Sequence, residues 1–476
     1  MNYAIELYAL FYCGIPVLTS LIVLLLKKPV SLVLLLGPLL LFIVTFTDQT
    51  HLIGGNFLLV ENVINNIDLS FTLDVFGYQF IKIIGLLWLP VTLYSLSYFK
   101  KYNIYKAHRF FIFTPICISL SLAIALSGNL LTMFFFYELL TFASYPLVSL
   151  EGTDDAIKSG SKYVTLLAGS SVSLFLPAIV IVANQYNNLN FIPHINNGLS
   201  GVYMLIIMIM FLYGIAKSAI FPLHGWLPIA MVAPAPVSAL LHAVAIVKSG
   251  IFCLVKVYFY FFLHSDNLKN QNNHITAICC FSCIIASVFA LRSTKVKKIL
   301  AYSTVSQLAY MSISISLLTI GEFKATMFCM MAHSFAKITL FLCTGSMQQK
   351  MNVYDIHDLN GIIKYMPITS IFFIIGALSM IGIPLTASMW AKEYIITYAP
   401  LEKSFFISTI LVISTVLNVM YFMPLILRII FSKTSSRKKI QTCEADSYML
   451  LSYSFTITMV VIMFFIPKMF ILKLIN

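Results

Sequence analysis

The feature that most constrains this chain is the length of its apolar runs. They come in blocks of roughly 20 residues, the length a helix needs to cross ~30 Å of hydrocarbon. The block from Leu21 to Phe46 has none of the apolar–polar alternation that a membrane β-barrel strand requires. Of 476 residues, 60% are apolar or aromatic and only 10% are charged. A water-soluble protein of this size needs far more polar surface. The expected fold is therefore all-α and polytopic, with lipid as the solvent. The net charge of +13 does not point to nucleic acid, because the basic residues lie in short loops between apolar blocks. The first block begins near Tyr3 without a basic leader, so it reads as a retained helix and not a cleaved signal.

Fourteen spans are expected, at 3–26, 29–47, 72–97, 109–127, 129–150, 162–183, 202–221, 237–262, 274–291, 299–318, 325–346, 367–397, 405–430 and 448–471. Lys and Arg then orient them. With the N-terminus outside, the inner loops hold Lys27, Lys28, Lys100, Lys101, Lys106, Arg109, Lys158, Lys162, Arg292, Lys295, Lys297, Lys298, Lys350, Lys364, Arg428, Lys433, Arg437, Lys438 and Lys439. These are 19 of the 30 basic residues. The outer segments hold Lys269, Lys324, Lys403, Lys468 and Lys473. By the positive-inside rule both termini are expected on the outer side of a cell inner (plasma) membrane.

Six lysines fit neither side: Lys82, Lys217, Lys248, Lys256, Lys337 and Lys392 fall inside expected spans. Glu138 sits midway along the fifth, as the one carboxylate expected to lie deep. A charge at the bilayer centre costs at least ~2.5–3.5 kcal/mol. A purely structural bundle would carry leucine there, so these residues predict a hydrated polar path. Lys82 and Lys256 lie nearer span ends, where a lysine can snorkel to the interface. Burial disfavours an ammonium and a nearby carboxylate favours it. Lys217 is therefore expected near Glu138 on a neighbouring helix, its proton affinity switched by that partner. His333 and Lys337 are spaced i, i+4 and share a face, and histidine relays protons through two ring nitrogens. His242 lies six residues before Lys248, a spacing that does not put them on one face, although both can line one channel. Ser303 and Gln307 share a face of the tenth span.

Two spans carry breaks. The seventh runs into Pro222, and the twelfth contains Gly382-Ile383-Pro384. Proline removes a helix donor. Lys217 precedes its break and Lys392 follows its own, the order expected of two half-bundles related by inverted topology. The divisions are then 1–108, three N-terminal helices; 109–262, the first five-helix repeat (helices 4–8); 263–430, the second (helices 9–13); and 431–476, a cytoplasmic loop and the last helix. Cys279, Cys280 and Cys283 form one cluster with a single CxxC, too little to predict a metal. No dinucleotide fingerprint or iron–sulfur ligand set is evident, so no cofactor is expected and no redox step is assigned to this chain.

Longer stretches carry a family resemblance. They are Phe136-Tyr137-Glu138-Leu139, Ala216-Lys217-Ser218-Ala219, Pro222-Leu223-His224-Gly225-Trp226-Leu227-Pro228, the run from Ala233 to Ala243, Leu300 to Gln307, and His333-Ser334-Phe335-Ala336-Lys337. Together they resemble the antiporter-like subunits shared by Mrp-type cation/proton antiporters and proton-pumping NADH:quinone oxidoreductases, with relatives in membrane-bound hydrogenases. The resemblance is strongest from Phe134 to Glu393. It implies fourteen helices, broken seventh and twelfth helices, and inverted repeats. It also implies proton-translocating roles for Glu138, Lys217, Lys248, Lys337 and Lys392, beside His333 and His242. Tyr137 stands where many relatives have tryptophan. The stretch from Ala233 to Gly250 looks most like the D-type subunit of Mrp-type antiporters, and Lys392 separates the chain from relatives with glutamate there. The implied partners are other membrane subunits of one complex, the lipid bilayer, and protons, with Na+ as a candidate cation. The alternatives are a proton-pumping subunit of a redox complex and a degenerate scaffold subunit.

Overall fold

Helix starts are set locally. Asp74, Asn129, Thr153 and Thr319 each accept a hydrogen bond from an amide three residues on, in the first turn of the helix that follows. The computed structural model describes residues 2–26, 31–47, 50–64, 67–101, 104–186, 188–193, 201–265, 272–432, 443–467 and 470. Of the orientation residues, Lys27, Lys28, Lys269, Lys433, Arg437, Lys438, Lys439, Lys468 and Lys473 lie outside the described residues, as does most of the loop of division 431–476.

The helices are α1 (Asn2–Leu26), α2 (Ser31–Val44), α3 (Val75–Tyr98), α4 (Ile104–Leu126), α5 (Leu130–Val148) and α6 (Asp154–Tyr186). Then come α7 (Gly201–Gly214), α8 (Ala235–Phe261), α9 (Asn272–Arg292), α10 (Val296–Ser316) and α11 (Ile320–Met351). The last are α12 (Pro367–Ile381), α13 (Ala387–Tyr398), α14 (Leu401–Phe431) and α15 (Ser447–Phe465). The chain is a multi-pass membrane protein. Each of the fourteen expected spans has its helix, the twelfth being divided into α12 and α13. Among the described residues, ten helices are long and apolar enough to cross a bilayer, and α2, α7 and α12 are shorter apolar helices. The serine-rich α10 is not among these spans and is buried among its neighbours.

Burial runs inside out relative to a soluble protein. Leu10, Leu18 and Leu25 of α1 and Val412, Val416 and Leu427 of α14 face outward, which costs nothing in lipid. The most apolar windows of α8 and α11 are 100% buried, against 39% for α1 and α14. These two helices therefore form the axis of the bundle, and they carry His242, Lys248, Lys256, His333 and Lys337.

Both breaks are present. α7 stops at Gly214, earlier than the expected limit, and the chain passes through a short 3-10 turn at Ala216–Ser218 before the one-turn helix Trp226–Ile229. α12 stops at Ile381, and Gly382 takes φ +88°. That left-handed conformation suits glycine, which has no Cβ to clash. Two helices also contain a wide π turn, Ser171–Phe175 in α6 and Leu240–Val244 in α8.

One element departs from an all-helical expectation. Strands β1 (Asn56–Ile64) and β2 (Ile67–Thr72) form an antiparallel hairpin between α2 and α3. It is tied to the α4–α5 junction. The Gly128 amide donates to Ser70 O at 2.8 Å, and Asn129 Nδ2 donates to Asp68 O at 2.6 Å.

Candidate functional site

The first break brings Lys217 to the middle of the bundle. Its side chain is fully buried. Its backbone amide donates to the Tyr137 hydroxyl at 3.2 Å, and its ammonium donates to the Tyr137 carbonyl oxygen. The ammonium also lies 3.4 Å from the centre of the Tyr137 ring, a cation–π contact. Trp226 Nε1 caps Ala216 O at 2.9 Å and holds the unwound stretch. α8 crosses against this stretch at Gly250. A Cβ there would lie 2.5 Å from both the Lys217 carbonyl carbon and the Ser218 amide nitrogen.

Glu138 is half-buried, on a face of α5 where Phe135, Leu139 and Phe142 are exposed. One carboxylate oxygen, Oε1, has no hydrogen-bond partner. Its charge and that of Lys217 lie within electrostatic reach of each other. Among the described residues no direct ion pair joins them; Lys217 is held by the carbonyl of the residue before Glu138.

The centre joins α8 to α11. Lys248 Nζ and His333 Nδ1 are 2.5 Å apart. His333 Nε2 and both His242 ring nitrogens are buried without hydrogen-bond partners. His242 lies within electrostatic reach of Lys248 and Lys337, with its ring 4.9 Å from that of Phe341. The six-residue spacing between His242 and Lys248 does not align them in a regular α-helix. His242 sits within the π turn Leu240–Val244, whose wider pitch changes the register before Lys248. On the next turn of α11, Lys337 Nζ donates to Leu300 O at 2.8 Å and Ser303 Oγ at 2.5 Å on α10. Gln307 Nε2, one turn on from Ser303, is buried and unpartnered.

The second break completes the line. Lys392 Nζ donates to Ile381 O at 2.6 Å, a carbonyl at the broken end of α12, and to Thr415 Oγ1 at 2.7 Å. Cys329 lies within electrostatic reach of both Lys248 and Lys392. The expected residues thus follow one another across the bundle: Glu138 and Lys217, then Lys248, His333, His242 and Lys337, then Lys392.

Two expectations need correction. Lys256 does not snorkel. It is fully buried, donates to Ser127 O at 2.7 Å, and pairs with Asp74 Oδ2 at 3.3 Å. Asp74 caps α3 and also accepts from the Tyr260 hydroxyl at 3.0 Å. Lys82, by contrast, is partly exposed and lies 4.1 Å from the centre of the Tyr78 ring. Nor is Glu138 the one deep carboxylate. Glu322, in the first turn of α11, is fully buried. Among the described residues no group of three or more His, Cys, Asp or Glu forms a metal-ligand cluster. Cys283 instead donates its thiol hydrogen to Ser414 Oγ at 3.3 Å.

The chain is similar to known proteins. Residues 127–418 match the profile of a family described as NADH:quinone oxidoreductase/Mrp antiporter, TM. The chain is 33% identical over 355 residues to NAD(P)H-quinone oxidoreductase chain 5 of Synechocystis sp., a match covering 69% of this chain and 51% of that protein. It is 31% identical over 373 residues to the chloroplastic NAD(P)H-quinone oxidoreductase subunit 5 of Zea mays, covering 72% and 48%. The chain thus spans about half the length of these curated relatives. Its fold is that of a chain in the structure of a membrane-bound sulfane sulfur reductase, an archaeal respiratory membrane complex. The TM-score is 0.86, at 21% identity, over 98% of this chain and 96% of that one.

Proposed function

The chain belongs to the NADH:quinone oxidoreductase/Mrp antiporter transmembrane family, and on that premise we propose that it conducts protons as one membrane subunit of a larger complex. The observation that carries the reading is the line of titratable groups from the buried Lys217 through the buried Lys248, His333 and Lys337 to the half-buried Lys392. Intramembrane ionisable residues of this density mark ion paths, because each costs stability that an apolar side chain in its place would not. Lys248 and His333 are at proton-sharing distance, and His333 and Lys337 share a helix face. Glu138, on an outward face of α5, is the entry to the line and modulates Lys217. Divisions 109–262 and 263–430 are the two inverted repeats, each with one broken span.

The complex has two candidate forms. The stretch from Ala233 to Gly250 supports a D-type subunit of an Mrp-type antiporter, exchanging protons for a monovalent cation such as Na+. The second reading, a proton-pumping subunit of an oxidoreductase, is favoured by the relatives, which are named subunits of NAD(P)H-quinone oxidoreductases. Both place the chain in the cell inner membrane with its termini outward, as the lysine count supports. The test uses inverted vesicles holding the assembled complex, energised by an imposed Na+ gradient or by NADH. Lys217→Ala and Glu138→Ala should lower proton movement roughly tenfold or more. The energy source that drives movement in the parent, with the subunits that copurify, separates the two forms. Native rates in both variants, with normal assembly, would leave only the scaffold reading.

A further inference from the structure

The line of lysines ends at Lys392, which is half-buried at the second break. Glu322 offers a continuation from it toward one membrane face. It lies in the first turn of α11, fully buried, and among the described residues no cation pairs with it. A carboxylate is favoured near a helix N-terminus, and Ser314 Oγ donates to Glu322 Oε2 at 2.5 Å. These contacts account for one oxygen. The other, Oε1, is buried and has no hydrogen-bond partner. A purely structural cap would not leave it so, since an unsatisfied buried oxygen is costly.

The surroundings lead from Lys392 toward the surface. Tyr310 precedes Ser314 by one turn of α10, so the two share a face. Its hydroxyl is buried, unpartnered, and within electrostatic reach of Glu322. Lys392 Nζ lies 6.0 Å from the centre of the Tyr310 ring. On the other side, the Glu322 amide donates to Thr319 Oγ1 at 3.3 Å. Thr319 lines a cavity of about 360 Å³ with Ser265, Asn272, Glu402 and Lys403. Leu401, also in its lining, is 95% exposed, so the cavity sits at the end of the bundle.

We propose that Glu322 is a proton-carrying residue that connects Lys392, through Tyr310, to the cavity at the α10–α11 turn. The proposal rests on the proton-conducting reading above. A proton leaves the Lys392 ammonium and is relayed by water to the Tyr310 phenol, which takes one proton and gives one. It reaches Glu322 Oε1, forming the neutral acid. It then passes to water in the cavity, restoring the carboxylate. The lysine count puts this cavity on the outer face, opposite the basic loops.

The test uses the assembled complex in vesicles, with proton movement followed by a pH-sensitive dye. Glu322→Gln should assemble and move protons roughly tenfold more slowly or worse. Glu322→Asp should recover part of that loss, with a larger solvent deuterium isotope effect than the parent. Tyr310→Phe should slow movement as well, and it carries the test if the glutamine variant does not assemble. Tyr310→Phe at the native rate, or assembled Glu322→Gln at the native rate, overturns the proposal. Lys217→Ala in the same vesicles distinguishes the two failures. If it slows transport while Glu322→Gln does not, only the exit route is wrong. If it too runs at the native rate, the reading beneath the proposal falls with it.

Discussion

Replacing Gly250 by alanine would add one carbon where the axis helix α8 crosses the first break. That Cβ would lie 2.5 Å from the Lys217 carbonyl carbon, 2.5 Å from the Ser218 nitrogen and 2.8 Å from Lys217 Cβ. Two of these atoms are backbone, and no rotamer moves them away. Non-bonded carbons settle at ~3.5–4.0 Å, so α8 and the unwound stretch must separate by about 1 Å. Overpacking of this kind costs about 1–3 kcal/mol. The displaced segment carries the Lys217 side chain, and a 1 Å misplacement of a reacting group costs roughly 10²-fold in rate. Gly250→Ala should therefore assemble at reduced thermal stability and move protons about a hundredfold more slowly. Gly169 is the control. It lies in α6 with nothing within 4 Å of an added Cβ, so alanine there should stabilise by roughly 0.5–1 kcal/mol and leave transport alone. A Gly250→Ala complex with native melting and native transport would refute the close crossing.

Two further substitutions probe the scaffold. Asp74→Asn leaves the buried Lys256 ammonium without its 3.3 Å partner and should destabilise the subunit by about 3–5 kcal/mol, read as a lowered melting temperature. The double change with Lys256→Met should recover most of that loss, because the desolvated charge is then gone. Asn129→Ala removes both the cap of α5 and the 2.6 Å bond to Asp68 O. It should cost about 1–2 kcal/mol, and limited proteolysis should cut the β1–β2 hairpin faster than in the parent.

The spans and both breaks were legible because hydropathy and proline act locally. Lys217, Lys248, Lys337 and Lys392 were legible for the same reason: each is a charge in an apolar run. What escaped was any charge near a span end, where a loop residue and a buried cap look alike. Glu322 stands two residues from Lys324 and read as part of an outer loop. The signal was present, since Thr319-Ile320-Gly321-Glu322 has the Thr-x-x-Glu spacing of a capping box, and α11 begins five residues before its expected start. Asp74 was absorbed into a span limit for the same reason, although an aspartate just before an apolar run is a helix start signal. The Lys217–Tyr137 contact was not legible, because it depends on how far α7 unwinds.

Four of the lysines fall into two electrostatic classes, and one substitution separates them. Lys217, Lys337 and Lys392 donate to backbone carbonyls of Tyr137, Leu300 and Ile381. A carbonyl is a dipole that solvates an ammonium without neutralising it, and it stays satisfied when the proton leaves. Lys256 is different, because its partner is the Asp74 carboxylate, and losing its proton would strand that charge. Arginine keeps the positive charge but does not release a proton in a protein. Lys256→Arg should therefore preserve transport once assembled, since a guanidinium pairs well with a carboxylate. Lys337→Arg and Lys392→Arg should assemble, hold their carbonyl contacts, and still lower proton movement roughly tenfold or more. Lys337→Arg transporting at the native rate would mean that its charge alone matters. The line through α8 and α11 would then act as a fixed field and not as a carrier of protons.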